Sequence, residues 1–346
     1  MVAVTGAARG MGRALVTRLA ESTAFAKTVA IDDHRGDATD VTWRVVDVRD
    51  PALAGRLAGV DVVVHLDLDI SLDADPTDRR AYNVRGAQTV LTAAAAERVA
   101  RVVLVSTAMV YGASPDNPVP LAEDTPVGAE PDAGIVGDFL EIEQLAERAS
   151  AVHPGVSVSV LRPAALVGPG VDTVITRHFE APRLLTAKGC APRWQFCHID
   201  DLVSALELAA LGEVEGVLAV GCDGWLDQEA VEEITGKRGF DLPATVTFST
   251  AQRLHRIGVT PAPATDLHYV VYPWVVDAVR LREAGWRPAY DNPGALRAML
   301  DESAGRHAAL GRHLGRKEAT LTAAGATVAV IGTAAIVRRA RRRRRT

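Results

Sequence analysis

Lysine is scarce in this chain. Only Lys27, Lys188, Lys237 and Lys317 occur among 346 residues, so nearly all of the 38 basic side chains are arginines. Cysteine is scarcer still. Cys190, Cys197 and Cys222 exclude a disulfide framework and fit a reducing compartment. Cys197-His198 and Cys222-Asp223 contain no C-x-x-C pair, so these read as buried thiols and no metal site is expected. Aromatic residues make up 5% of the chain and hydrophobic residues 48%, a composition suited to one large or two moderate cores. No internal repeat is present. The first β-branched run opens at Val2, which leaves no room for a signal or transit peptide and gives the expectation of a cytoplasmic body.

Charge is unevenly spread. Residues 306–346 hold eleven Arg or Lys against the single acid Glu318, a net of +10; with −5 for the whole chain, residues 1–305 carry −15. An acidic body excludes a nucleic-acid groove. Within the basic end, Ala319 to Val337 has no charge over nineteen residues, and seven arginines follow among Arg338 to Arg345. The length permits a spanning helix. Its few strongly apolar residues make insertion marginal, while arginines at an anionic surface add on the order of 1 kcal/mol each. The favoured reading is association of residues 319–346 with the cytoplasmic face of an anionic membrane, spanning or lying on it. The alternative is an Ala-rich helix packed on the body with a basic tail.

What organises the chain stands at its start. Val2-Ala3-Val4-Thr5 reads as a strand, and Gly6, Gly10 and Gly12 follow it; Met11, Ala14, Leu15 and Leu19 then fall at helical spacing. Strand, glycine turn and helix form the context of a dinucleotide fingerprint. In that reading Gly6 turns the chain, Gly10 lets backbone approach a pyrophosphate, and Gly12 lets the helix sit close on the sheet. The spacing is Gly-x-x-x-Gly-x-Gly, and an ordinary glycine-rich turn is the alternative. Thr28 to Ile31 reads as a second strand with Asp32 at its end, twenty residues after Gly12. A carboxylate there accepts ribose hydroxyls and repels a 2′-phosphate, which favours NAD over NADP; the nearby Arg35 works against that preference.

Strands and helices alternate from there on, which predicts a doubly wound parallel sheet of Rossmann type. Val41 to Val48 reads as a strand with Asp47 at its end, Val60 to Leu66 as a central strand, and Asn83 to Ala96 as a helix of small residues. Val102 to Ser106 is the next strand, a helix runs to about residue 151, and Val156, Val158 and Val160 alternate toward Leu161-Arg162-Pro163. The expected division is a dinucleotide domain over 1–165, a smaller discontinuous substrate lobe over 166–305, and the basic end over 306–346. Residues 194–220 are expected to return to the main sheet.

Taken together these segments resemble the extended branch of the short-chain dehydrogenase/reductase superfamily, the NAD-dependent epimerase/dehydratase family. The resemblance rests on Thr5-Gly6 with Gly10 and Gly12, Asp32, Asp47-Val48-Arg49-Asp50, Val64-His65-Leu66 and Asn83-Val84-Arg85-Gly86. Further on it includes Ser106-Thr107 with Val110-Tyr111-Gly112, Leu161-Arg162-Pro163 with Val167-Gly168-Pro169-Gly170, and Phe196-Cys197-His198-Ile199-Asp200-Asp201. It covers about residues 1–300. It implies cofactor contacts from Gly6, Arg9, Gly10, Met11, Gly12, Asp32, Asp47, Val48, Leu66, Asn83 and Pro163. A sugar-nucleotide or lipid-linked substrate is also implied, and the resemblance is compatible with a homodimer. Two departures stand out: the glycine spacing is that of shorter relatives, and Asp67 follows His65-Leu66 where small residues are usual.

The resemblance also implies a catalytic Tyr with a Lys four residues later, on one helix face, and a Ser or Thr that orients the substrate oxygen. Thr107 matches the last of these; alternatively its hydroxyl simply caps a turn. The residues four beyond Tyr82, Tyr111, Tyr269, Tyr272 and Tyr290 are Gly86, Pro115, Pro273, Val276 and Gly294, so no Tyr-x-x-x-Lys exists in the chain. Alignment through Glu143-Gln144-Leu145 puts Ile135 and Phe139 at the Tyr and Lys positions. Ala108 and Met109 stand where the family's 4,6-dehydratases carry Asp-Glu, which excludes that elimination chemistry. The leading expectation is therefore an NAD(H)-binding family member with a degenerate catalytic site, acting as a membrane-associated sensor or scaffold or as a non-standard enzyme. The rival is an active epimerase or reductase with a relocated proton donor, and a weaker third reading is an interaction protein that has lost cofactor binding as well.

Overall fold

The computed structural model describes residues 1–242 and 264–313. Its centre is a seven-stranded, wholly parallel sheet. In chain order the first elements are β1 (Val2–Thr5), α1 (Gly10–Glu21), β2 (Thr28–Asp32), β3 (Thr42–Val45), α2 (Leu53–Arg56), β4 (Val62–His65) and α3 (Pro76–Ala96). Then come β5 (Arg101–Val105), α4 (Ile135–Val152), β6 (Ser157–Pro163), β7 (Ala165–Val167), α5 (Val174–Glu180), β8 (Leu184–Ala187), β9 (Phe196–His198), α6 (Ile199–Leu211) and β10 (Val217–Val220). The strands lie in the order β10-β6-β5-β4-β1-β2-β3, so the order reverses between β1 and β4. That reversal opens a crevice at the carboxyl ends of the strands, where open α/β sheets bind ligands.

The β-branched runs form the middle of this sheet because both of its faces are covered. Every residue of β1, β2 and β4 is buried. α1 turns Leu15, Val16 and Leu19 inward, and α3 packs Gly86, Ala87, Val90, Leu91, Ala93 and Ala94 against its neighbours. Small side chains on α3 let it pack closely along α4. Beyond β6, the chain forms two small parallel pairs, β7 with β9 and β8 with β11 (Gly239–Leu242), of which β7 reaches the crevice through Ala165 and Leu166. α6 and β10 then return to the main sheet, where Val220 pairs in register with Pro163.

Several elements differ in extent from the sequence pattern. The strand expected over 41–48 is only β3, because Asp47 turns away and accepts from the Arg49 backbone N–H at 2.8 Å. The helix expected from Asn83 begins at Pro76, where the Asp75 carboxylate accepts from the amides of Thr77 and Asp78 at 2.9 and 3.2 Å. Proline at the first helical position lacks only an N–H that would have no partner there, so the cap overrides the polar first turn. A single helix, Asn292–His313, runs across the expected boundary at 305/306. Residues 319–346, expected to associate with a membrane, lie outside the described residues. Among the described residues no helix is long and apolar enough to cross a membrane.

The turn after β1 is constrained by backbone contact. A Cβ on Gly12 would lie 2.0 Å from the carbonyl oxygen of Gly6, with only backbone to give way. Gly12→Ala should therefore destabilise the fold by about 1–3 kcal/mol in urea unfolding. Gly55→Ala, on an exposed helical turn with nothing within 4 Å of the new methyl, should leave stability unchanged or slightly raised.

Candidate active site at the sheet switch point

A cavity of about 270 Å³ lies along the crevice and is walled by the ends of β1, β4, β5 and β6. At one end stand Gly6, Arg9, Gly10, Met11 and Gly12, and toward the other Thr107, Ile135, Phe139 and Pro163; Leu66 also lines it. Gly6 and Gly10 have φ of +68° and +53°, which glycine adopts without strain. The α1 N-terminus has no side-chain cap, so the amides of its first turn are left to a ligand. Space above Gly10 is open, with nothing within 4 Å of where a Cβ would stand. The buried Ser106 Oγ, also on the cavity wall, has no hydrogen-bond partner among the described residues. A glycine cradle, uncapped amides and an orphan hydroxyl fit the diphosphate and polar rim of a dinucleotide.

Asp32, Asp47, Val48 and Asn83 stand behind this wall rather than on it. Asp32 is buried and accepts from the Ala8 amide and from its neighbour Asp33, each at 2.9 Å, so it ties the glycine turn to β2. Burial holds its carboxyl above the usual carboxylate range against the pull of the Ala8 N–H. Asp47 is engaged by the Arg49 guanidinium at 2.6 and 2.9 Å, which lowers its pKa, and Val48 packs against Gly86. Asn83 is fully buried. Its Oδ1 accepts from the Asp69 amide at 2.8 Å, and its Nδ2 donates to the Asp69 carbonyl at 2.9 Å and to Asp138 at 3.1 Å. It fastens the segment after β4 rather than facing the cavity. Arg35 is exposed and does not line the cavity.

The Thr107 hydroxyl both faces the cavity and accepts from the Met109 amide at 3.2 Å, capping the short 3₁₀ turn Ala108–Tyr111. None of the five tyrosines lines the cavity. The Tyr111 hydroxyl donates to the Glu123 carbonyl at 3.0 Å, and its ring lies under the Arg162 guanidinium at 4.6 Å, so this tyrosine is engaged away from the cavity. Ile135 and Phe139 present hydrocarbon one turn apart.

Two carboxyls are drawn into the wall that sequence spacing did not mark as functional. Asp67, next to Gly6, is buried; its Oδ1 accepts from the Tyr82 hydroxyl at 2.7 Å, and burial pushes its pKa up. Asp266 comes from the far side of the chain, is 4% exposed, and is pushed up to about 7, first by burial and then by Asp132. The departure from small residues after Leu66 signalled Asp67. Nothing local signals Asp266, because its burial comes from contacts across the fold.

Beneath Ile135 and Phe139 lies a buried charge lock. Arg79 of α3 donates to Asp138 of α4 at 2.9 Å and to the Ala133 carbonyl at 2.6 Å, with both side chains of the ion pair almost wholly buried. This pair sets the position of the first turn of α4, and so of Ile135.

The chain belongs to the NAD dependent epimerase/dehydratase family, whose model matches residues 2–221. It is 30% identical over 303 residues to an uncharacterised protein of Mycobacterium tuberculosis, covering 84% of this chain and 80% of that one. To a dTDP-glucose 4,6-dehydratase of Streptomyces griseus it is 29% identical over 264 residues, covering 68% and 73%. Among solved structures, MoeE5 in complex with UDP-glucuronic acid and NAD shares the fold with a TM-score of 0.66 at 23% identity, over 88% of this chain and 99% of that one.

Arg79→Met should cost about 3–5 kcal/mol in chemical denaturation, because it leaves Asp138 buried without its cation. Arg80→Met, which removes a half-exposed pair with Glu141 on the same two helices, should cost less than about 1 kcal/mol.

Proposed function

We propose that this protein binds NAD(H) in the switch-point cavity. The observation that carries this reading is the joining, in one cavity, of an uncapped glycine-rich helix start and the Thr107, Ile135 and Phe139 end. Gly6, Gly10, Gly12 and the α1 amides would hold the diphosphate. Asp32 at the end of β2 would select NAD over NADP by charge, and Leu66, Thr107 and Pro163 would border the rest of the cofactor. NAD supplies a hydride acceptor to such a site. Substrates consistent with the family are sugar nucleotides or lipid-linked alcohols and ketones. Elimination of the 4,6-dehydratase kind is not among the reactions, since Ala108 and Met109 after Thr107 carry no acid.

Two activities are compatible with this occupancy. Ile135 and Phe139, hydrocarbon where a proton relay would stand, favour a sensor or scaffold that reads NAD(H) without turnover. The buried carboxyl of Asp266 on the same wall favours an oxidoreductase or epimerase with its proton donor moved to another part of the chain.

Fluorescence titration of the full chain should give saturable NADH binding, weakened about 10-fold or more by Asp32→Ala, in line with loss of a charged hydrogen bond. Gly10→Val should abolish it. Tighter binding of NADPH than NADH would overturn the assignment of Asp32, and binding of neither would favour an interaction protein.

Asp67 gives a pH signature. Its carboxyl, raised by burial, is neutral below its pKa and charged above it, beside the glycine cradle that would hold an anionic diphosphate. Asp67→Asn should therefore tighten NADH binding at pH 8.5 by roughly 3- to 10-fold, with the gain shrinking as the pH is lowered to 4.5. Calorimetry at the two pH values checks both the sign and the trend.

A further inference from the structure

Asp266 is held against the reacting end of the cavity by two separate sets of contacts. On one side, the helix His268–Val271 follows directly, and the Tyr269 hydroxyl donates to the Met109 carbonyl at 2.8 Å, two residues from Thr107. The same segment is pinned again where Trp274 Nε1 donates to the Tyr269 carbonyl at 2.8 Å, and Trp274 itself lines the cavity. On the other side Asp266 lines one chamber with Asp132 and Val136, which brings it to the start of α4. Ile135 begins that helix, and Arg79 holds its approach through Ala133 and Asp138. Asp266 thus lines the same cavity as Thr107 and Ile135.

Its side chain is almost wholly enclosed, at 4% exposed. It also lines a second, adjoining cavity of about 420 Å³ with polar side chains that include Ser114, Glu130 and His268. One carboxyl facing an apolar reaction cavity and a polar chamber has both a substrate side and a route for its proton.

We propose that Asp266 is a catalytic residue, the proton-exchanging group of this site, in place of the missing tyrosine. The proposal rests on NAD(H) occupying the cavity. In oxidation, the Asp266 carboxylate takes the hydroxyl proton of a secondary alcohol as the carbinol hydrogen leaves as hydride to oxidised NAD. The O–H and C–H bonds break, the C=O double bond forms, and Asp266 is left as the acid. In reduction by NADH, the acid form returns that proton to the alkoxide oxygen. Thr107 Oγ1 is placed to orient the same oxygen.

The charged groups facing Asp266 set its working range. Asp132 opposes ionisation and Arg79 favours it, while burial dominates and carries the carboxyl to about 7. Tyr269, on the next turn, is itself raised by burial and by Asp266, so it stays protonated through that range. A carboxyl poised there is matched to proton transfer near neutral pH, a role that contributes about 10²- to 10⁴-fold in rate.

The test uses the full chain. Carbon-13 NMR of aspartate-labelled protein, with Asp266→Asn to assign the signal, should show this carboxyl titrating between pH 6 and 8. With NADH and 2-decanone, reduction should slow as pH rises through that midpoint; with NAD⁺ and UDP-glucose, oxidation should speed up instead. Whichever probe reacts, Asp266→Asn should lower the rate at least 100-fold with NADH affinity within 2-fold of wild type, and Asp266→Glu should recover part of it. Because the folded-state pKa is raised, the carboxyl costs stability progressively from the unfolded group's pKa of about 4 up to the folded midpoint, so Asp266→Asn should raise the melting temperature most at pH 8.5, less at pH 5.5 and hardly at all at pH 4. A midpoint below pH 5, a rate unchanged in Asp266→Asn, or an NADH complex that turns over neither probe would each overturn the proposal. Failure of the wild type to bind NADH would be the failure of the cofactor reading beneath it.

Discussion

The approach of Gly12 to the carbonyl of Gly6 is the contact on which the crevice depends. With no side chain on either residue, α1 settles directly above the end of β1, and its first-turn amides point into the gap left where the strand order reverses. A methyl group at Gly12 would lift the helix away, and the amides would no longer meet at one point. Asp32 reinforces the geometry by accepting from the Ala8 amide, so the turn is held from the sheet side as well. The cavity is a product of backbone packing, and most of the side chains around it contribute hydrocarbon.

That hydrocarbon character is maintained from below. α3 and α4 meet along small residues, and the buried ion pair between them, Arg79 with Asp138, is completed by Asn83. An ion pair in such a place adds little net stability but strongly disfavours any other arrangement. It locks the first turn of α4, so Ile135 and Phe139 are held in place although neither forms a polar contact. The first turn of α4 is thus kept in position with hydrocarbon on its cavity side, and the carboxyls on the wall come from the segment after β4 and from the far end of the chain.

Much of the glycine end of the cavity was legible in the sequence because its parts are local. Gly6, Gly10, Gly12 and Asp32 sit at fixed distances along a strand, a turn and a helix, and such spacing survives folding unchanged. The succession of strands along the chain followed from their apolar runs, while their spatial order did not. Strand and helix limits were less legible: Val46 to Val48 continue an apolar pattern after the pairing has stopped, and the Asp75 cap starts α3 well before its apolar face. Asn83 was expected against the cofactor and instead spends its amide on Asp69 and Asp138. Asp266 could not be seen at all, since what makes it unusual is the company of Asp132, Arg79 and Met109, drawn from three other regions of the chain.

The register of the last strand has a consequence for how the protein came to be built. β10 pairs with β6, yet everything from residue 164 to 216 lies between them, so that segment forms a loop closed by the Val220–Pro163 end of the ladder. Closure entropy grows only logarithmically with loop length, by about 0.6 kcal/mol for each doubling. Insertions or deletions within β7, β8 or their connections therefore weigh little on the assembly of the sheet, while the order in which the sheet is completed still waits on a distant segment and slows folding. The segment between β6 and β10 is thus free to change length, and the glycine turn between β1 and α1 is not.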